Sequence, residues 1–302
     1  MLEDLAPNYT QLPATRGRSM EEAARISREL DLPRRKPESV NSSISNLAAL
    51  MHYAENEELI PKSPARGLML PITRRKKDRR NPFSVEQLGR IFGPASPLYR
   101  PATPLEDRNG RFWVPLLSLW SGMRLNECCQ LMIGDVRYMR EIPVIVIAED
   151  TQGGGDEADA KRVKTEAGER FVPVHPELER LGFLRHWQAM KEAGRPRLFP
   201  DLRPGATGYY SEPFSLWFGR YLKGPAVAAY TRKTTFHSLR HNYRDALRDT
   251  EMSGEMVRAL GGWAGGGSTS DDYGSGFTPE RLYGAIKAVR YEGLDLSHLY
   301  LP

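Results

Sequence analysis

Hydrophobic positions recur at helical spacing near the start of the chain. Apolar residues in one stretch lie three or four positions apart, namely Val40, Ile44, Leu47, Met51 and Ala54. This spacing predicts a helix from Ser39 to about Glu58. An earlier helix is indicated by Ser19 and Glu22, which have the spacing of a capping box, and it should stop before Pro33.

The helical pattern restarts after Asn81, where Ser84 and Gln87 form a second capping box. Apolar runs predict further helices over residues 112–120, 124–133, 177–193, 214–222 and 279–290. β-Branched residues predict a strand from Pro143 to Ala148 and a returning strand from Arg170 to Val174, with Pro173 placing the second at a sheet edge. The fold class predicted is mostly α with a small antiparallel β-sheet.

Length and charge narrow the function only slightly. A chain of 302 residues suggests two domains. The 43 Lys and Arg residues exceed the 38 Asp and Glu residues, and the net charge of +5 permits a polyanionic partner without demanding one. The only two cysteines, Cys128 and Cys129, are adjacent and lack the spaced partners of a zinc site. No apolar run approaches the ~20 residues of a membrane span, so we expect a cytoplasmic protein.

One stretch near the C-terminus carries the candidate chemistry. His237 and Arg240 are three residues apart, so on a helix they share a face and both can donate hydrogen bonds to one anion. A short helical piece then leads into Gly261, Gly262 and Trp263, and a loop rich in Gly and Ser leads to Tyr273. Cationic donors, an indole N–H and a late tyrosine are what phosphodiester cleavage by a tyrosine nucleophile needs.

This stretch resembles the C-terminal signature of the tyrosine recombinases, the phage-integrase family. Upstream, the segment from Ser121 to Glu127 resembles the family's first motif, with a glycine-containing turn, Arg124 opening a helix and Glu127 three residues later. The loop before Tyr273 makes the distance from Trp263 to Tyr273 one residue longer than the commonest Trp-to-Tyr spacing of the family. The resemblance implies site-specific recombination or integration of double-stranded DNA through a covalent 3′-phosphotyrosine intermediate, without cofactor or metal.

The resemblance also implies roles for single residues. Arg124 and Arg240 would bind the scissile phosphate, because a guanidinium fork contacts two oxygens and stays charged. Glu127 would support Arg124. His237 would donate to the same phosphate and help to move the tyrosine's proton, whereas His241, four residues later, is interpreted as structural.

Three further residues complete the expected chemistry. Lys164 resembles the β-hairpin lysine that protonates the departing 5′ oxygen, although Lys161 and Arg162 are close by. Trp263 would donate its indole N–H to the phosphate and also pack against helices. Tyr273 would be the nucleophile.

The family arrangement divides the chain into three parts. Residues 1–73 would be part of a helical core-binding domain, residues 74–81 a basic linker and residues 82–302 the catalytic domain. The linker cations could simply be solvated or could contact DNA phosphates, and the resemblance favours DNA contact for Arg74, Arg75, Lys76, Lys77, Arg79 and Arg80.

The expected assembly is a homo-oligomer, a tetramer, on DNA, with accessory DNA-bending proteins as further partners and a nucleoid location when bound. Leu282, Ile286 and Val289 share one face of the last predicted helix, and that face is expected to dock on the next protomer. Two alternatives remain open, a type IB topoisomerase that relaxes DNA and a catalytically inactive DNA-binding module.

Overall fold

The structure is a computed structural model that describes residues 2–72, 81–148, 169–263 and 276–301. The chain divides into two compact units, Met1–Arg79 and Arg80–Pro302. None of the described helices is long and apolar enough to cross a membrane.

The described part of the first unit, residues 2–72, contains two helices, α1 (Met20–Glu29) and α2 (Pro37–Asn56). The predicted capping box at the start of α1 is present, since Ser19 Oγ accepts from the Glu22 backbone N–H at 3.2 Å and the Glu22 carboxylate accepts in return. Only the first half of the predicted apolar face of α2 is buried: Val40 and Ile44 are buried, whereas Leu47 is 45% exposed.

The second unit is mostly helical, as predicted. Its helices are α3 (Val85–Phe92), α4 (Gly110–Ser121), α5 (Leu125–Cys129), α6 (Pro176–Arg180), α7 (Phe183–Glu192), α8 (Ser211–Lys223), α9 (His237–Arg248), α10 (Gly254–Gly261) and α11 (Pro279–Ile286). The capping box predicted at Ser84 and Gln87 begins α3. Helix α4 lies at the centre of the core and packs against α9.

A three-stranded antiparallel sheet lies beside these helices, formed by β1 (Val136–Met139), β2 (Ile142–Ile147) and β3 (Arg170–Pro173) in that order. Both predicted strands are therefore confirmed, and Pro173 lies in a strand that pairs on one side among the described residues, opposite Val144. Strand β1 was not predicted. Its exposed Arg137 and Tyr138 leave no run of apolar or β-branched residues.

Two predicted helices are divided or shortened by local features. The helix expected over 124–133 ends at Cys129, and the chain then forms a 3-10 turn, Ile133–Asp135, that is capped by the Asp135 carboxylate accepting from Met132 N at 2.7 Å. The helix expected over 177–193 is broken at Gly182, whose φ of +87° lies in the left-handed region.

The expectation that the last helix docks on another protomer is wrong for its apolar face. Helix α11 ends at Ile286, and Leu282, Ile286 and Val289 are all buried in the core of their own unit. The following tail is also fixed there, because Arg108 donates to the Leu299 carbonyl at 2.8 Å and the Tyr291 hydroxyl donates to the Leu119 carbonyl at 2.5 Å. The C-terminal segment is thus a structural part of the second unit.

Candidate active site

Helix α9 supplies two of the predicted site residues. His237 is its first residue and is partly exposed, and its ring lies 4.9 Å from that of His241 in a perpendicular arrangement. Arg240 follows one turn later and is only 3% exposed. Its Nη1 donates to the Gly122 carbonyl and its Nη2 to the Gly261 carbonyl at 2.5 Å.

Arg124 lies at the start of α5, in the position of its N-terminal cap. Its backbone N–H donates to Glu127 Oε2 at 2.7 Å and its Nη1 to Glu127 Oε1 at 2.6 Å. The Arg124 side chain is 28% exposed, whereas that of Glu127 is 4% exposed. Glu127 therefore holds Arg124 from the buried side, and part of the Arg124 guanidinium remains accessible to solvent.

A third arginine, Arg170 of β3, completes the cluster and was missed at the sequence level. Its Nη2 donates to Glu127 Oε2 at 3.0 Å and its Nε to the Leu260 carbonyl at 3.1 Å. The sequence contains a signal for it. Arg170, Val172 and Val174 alternate along the predicted strand and so share one face. The two valines indicate an apolar face, which is buried in the structure, and a cation on a buried face needs partners.

The three arginines bind three consecutive carbonyls at the end of α10. Leu260 accepts from Arg170, Gly261 from Arg240, and Gly262 from Arg124 Nη2 at 3.3 Å. The last carbonyls of a helix have no partner within the helix and carry the negative end of its dipole. The end of α10 therefore gathers the three guanidinium groups, which we call the arginine cluster (Arg124, Arg170 and Arg240).

Trp263 follows directly and stacks on this cluster. The Arg240 guanidinium lies 4.7 Å from the centre of a Trp263 ring, and the Arg244 guanidinium lies 5.2 Å from it. Beyond Trp263, a cavity of about 340 Å³ is lined by three more arginines and three small or apolar residues, namely Arg244, Arg248, Arg258, Met252, Gly254 and Val257.

The electrostatics of the cluster favour an anion. Burial, together with the charges of Arg170 and Arg124, lowers the pKa of Arg240 to about 9, so the group is still protonated near neutrality but at an electrostatic cost. Burial opposes ionisation of Glu127, but Arg170 and Arg124 hold its pKa below the ordinary value. Three guanidinium groups against one carboxylate leave two positive charges in excess, and a phosphate group would offset part of this excess.

Several predicted site residues lie outside the described residues. These are Lys164, Tyr273 and the cations of the basic run, namely Arg74, Arg75, Lys76, Lys77, Arg79 and Arg80. Within the described ranges, no group of three His, Cys, Asp or Glu residues is arranged to hold a metal ion.

The other late tyrosines have their hydroxyls committed elsewhere. The Tyr283 hydroxyl donates to Glu179 Oε1 at 3.2 Å, and burial together with the Glu179 charge raises its pKa. Burial, with smaller effects of Tyr243 and Asp245, raises the pKa of Tyr291 well above its ordinary value, and its hydroxyl is bonded to Leu119. Both groups are poorly placed to act as nucleophiles.

Comparison with solved structures identifies the fold. The chain is similar to the Tn1549 transposon integrase solved in complex with transposon right-end DNA, with a TM-score of 0.51 and 20% identity over 81% of this chain and 76% of that one. It is also similar to the XerH site-specific recombinase bound to a palindromic difH substrate in a post-cleavage complex, with a TM-score of 0.51 and 16% identity over 76% of this chain and 62% of that one. No family model and no curated protein matches the sequence.

These similarities define the class of fold. The mostly helical second unit with its small antiparallel sheet has the fold of the tyrosine recombinase catalytic domain. At 16–20% identity the similarity concerns the fold alone, so the chemistry has to be argued from the residues of this chain.

Proposed function

We propose that this chain is a tyrosine site-specific recombinase, an integrase of a phage or integrative element, that cleaves and rejoins double-stranded DNA. One observation supports this most strongly: Arg124, Arg240 and Trp263, which come from three separate segments of the sequence, meet at the end of α10. The two similar proteins were solved with DNA, and we extend DNA binding to this chain as part of the proposal.

In the proposed reaction, a scissile phosphate binds at the exposed side of the arginine cluster. The Tyr273 oxygen attacks phosphorus, a Tyr–O–P bond forms and the bond from phosphorus to the 5′ oxygen breaks. The tyrosine's proton leaves with the help of His237, and Lys164 protonates the departing 5′ oxygen. Fixed cationic donors stabilise the extra negative charge of the five-coordinate transition state.

The product of this step is a 3′-phosphotyrosine ester, and attack by a 5′ hydroxyl reverses it. The ester conserves the energy of the phosphodiester bond, so rejoining requires no nucleotide cofactor. We propose that the reaction takes place in a homotetramer on DNA and that the basic run from Arg74 to Arg80 contacts the DNA backbone.

The covalent intermediate provides the test. Duplexes that the protein binds are first selected from a randomised DNA pool. Each selected duplex is then nicked, so that the short fragment released by cleavage dissociates and cannot be rejoined, and is incubated with the protein. We expect a denaturant-resistant adduct whose linked peptide contains Tyr273. Tyr273→Phe should bind the duplex without forming an adduct, while Tyr283→Phe, a matched control, should form it.

Absence of an adduct with every selected duplex, or an adduct on another residue, would contradict the proposal. A type IB topoisomerase would form the same kind of adduct, so a second assay is needed to distinguish it from a recombinase. A recombinase should exchange strands between two DNA molecules that carry the selected site, whereas a topoisomerase would relax supercoiled plasmid without exchange.

A further inference from the structure

Arg170 contacts both structures that hold Arg124 in place. Its side chain is 6% exposed, against 28% for Arg124, so of the two arginines that Glu127 binds, Arg124 is the one that a DNA strand could reach. We infer that Arg170 is a positioning residue of the cleavage reaction, which fixes Arg124 and Trp263 without itself contacting the phosphate. This inference rests on the proposed function and adds a residue to its site.

The first route from Arg170 to Arg124 passes through Glu127. Oxygen Oε2 of Glu127 accepts from Arg170 Nη2 and from the Arg124 backbone N–H, while Oε1 accepts from Arg124 Nη1. Loss of Arg170 would leave a buried carboxylate with one hydrogen-bonded cation in place of two, and such a group either draws the remaining hydrogen-bonded cation closer or takes up a proton. Either response moves the Arg124 guanidinium away from its present position.

The second route passes through the end of α10. Arg170 Nε holds the Leu260 carbonyl at 3.1 Å, and the guanidinium lies so close to Gly262 that a Cβ there would be 2.7 Å from Arg170 Nη1. The Gly262 carbonyl accepts from Arg124 Nη2, and Trp263 is the next residue. Arg170 thus fixes the backbone that carries an acceptor of Arg124 and the start of Trp263.

The chemistry of Arg170 explains why no other residue type would serve both routes. Its planar fork donates through Nε in one direction and Nη2 in another, to acceptors on α10 and α5. A lysine ammonium has the charge but is a single point on a flexible stem. Arg170→Lys should therefore keep Glu127 paired and lose the bond to Leu260, whereas Arg170→Ala loses both.

A substrate with a neutral phosphate separates positioning from general damage. In a methylphosphonate, a methyl group replaces one nonbridging oxygen at the scissile position, so less negative charge develops and the cations that stabilise it matter less. We expect Arg170→Ala to cleave normal DNA on the order of 10²-fold more slowly than wild type, the scale associated with a misplacement of about 1 Å. On the methylphosphonate duplex the difference should fall below about tenfold. Arg170→Lys should show the same pattern with a smaller loss.

Three controls make the outcome decisive. Arg124→Ala should show the same rescue on the methylphosphonate, and Arg137→Ala, an exposed arginine of the same sheet, should cleave both duplexes like wild type. Binding of intact DNA by Arg170→Ala should be within about threefold of wild type, because many other phosphate contacts remain. If Arg170→Ala does not fold, the comparison is made with Arg170→Lys.

If Arg170→Ala lowers the cleavage rate equally on the two duplexes, the role of Arg170 is purely structural and the inference is overturned. An unchanged cleavage rate on both duplexes would overturn it as well. The proposed function fails separately, by absence of the covalent adduct with the wild-type protein. In that case the inference fails as well. If instead the wild type forms the adduct but the Arg170 variants are not rescued on the methylphosphonate duplex, only the inference is overturned.

Discussion

Gly122 supports the arginine cluster from the side of α4, and Gly122→Ala tests this support. The residue ends α4 with φ +65°, in the left-handed region that favours glycine, and its carbonyl accepts from Arg240 Nη1. A Cβ at this position would lie 2.3 Å from Cδ1 of Tyr243, whose ring is fully buried. The substitution thus combines backbone strain with a steric clash.

The two costs can be separated with a second glycine. Gly194 has nearly the same φ, +64°, but a Cβ there would meet nothing within 4 Å. The left-handed conformation costs roughly 1–2 kcal/mol for an L-residue, and overpacking a buried position costs about 1–3 kcal/mol more. We therefore expect Gly194→Ala to lower the free energy of unfolding by about 1–2 kcal/mol and Gly122→Ala by about 2–5 kcal/mol.

Urea denaturation followed by tryptophan fluorescence measures this difference in the second unit alone, because all 5 tryptophans follow residue 80. Cleavage of the selected duplex should also fall for Gly122→Ala and stay near wild type for Gly194→Ala, since only the first displaces an acceptor of Arg240. Equal destabilisation by the two substitutions, or full cleavage by a destabilised Gly122→Ala, would refute the proposed support.

Three further predictions concern other parts of the chain. Deleting residues 279–302 should yield insoluble protein on expression and fractionation, because burial of each aliphatic side chain contributes roughly 1.5–3 kcal/mol and the segment contains five buried ones, Leu282, Ile286, Val289, Leu296 and Leu299. Neutralising four cations of the basic run should weaken binding to all DNA sequences and lower the salt slope of affinity by about 0.9 per lost phosphate contact; an unchanged slope would indicate a solvated linker. Since the folded-state pKa of Glu127 is lowered from 4.5, its stabilisation is complete above that value and is lost as pH falls below it. The difference in unfolding free energy between wild type and Glu127→Gln should therefore shrink in urea titrations from about pH 6 to about pH 3, and a constant difference would contradict the assigned ion pairs.

Helix starts could be predicted from the sequence because their signals are local. The capping boxes at Ser19 and Ser84 each involve residues three positions apart, and both are present in the structure. Helix ends were less predictable. The break at Gly182 depends on a left-handed residue within a continuous apolar pattern, where a Cβ would lie 2.3 Å from Leu301 Cδ1 in the distant C-terminal tail.

In the candidate site, too, local features could be predicted from the sequence and long-range contacts could not. The motifs around Arg124 and Arg240 identified residues that the structure brings together, but spacing does not reveal which backbone carbonyls they bind. Arg170 was missed because it lies in a strand outside the recognised motifs, and its partners, Glu127 and Leu260, are 43 and 90 residues away. The apolar face of α11 was recognised, but periodicity indicates only that such a face is buried and not by what.

The two glycines before Trp263 show how a short motif can encode a packing requirement. In the sequence they lie between a predicted helical piece and Trp263, and in the structure each serves a different contact. A Cβ on Gly261 would lie 1.9 Å from the Trp263 ring, and one on Gly262, at φ +57°, would lie 2.7 Å from Arg170 Nη1. Because neither residue has a side chain, Trp263 and Arg170 can both approach the backbone at the end of α10. That approach leaves the carbonyls of Leu260, Gly261 and Gly262 open to the three arginines.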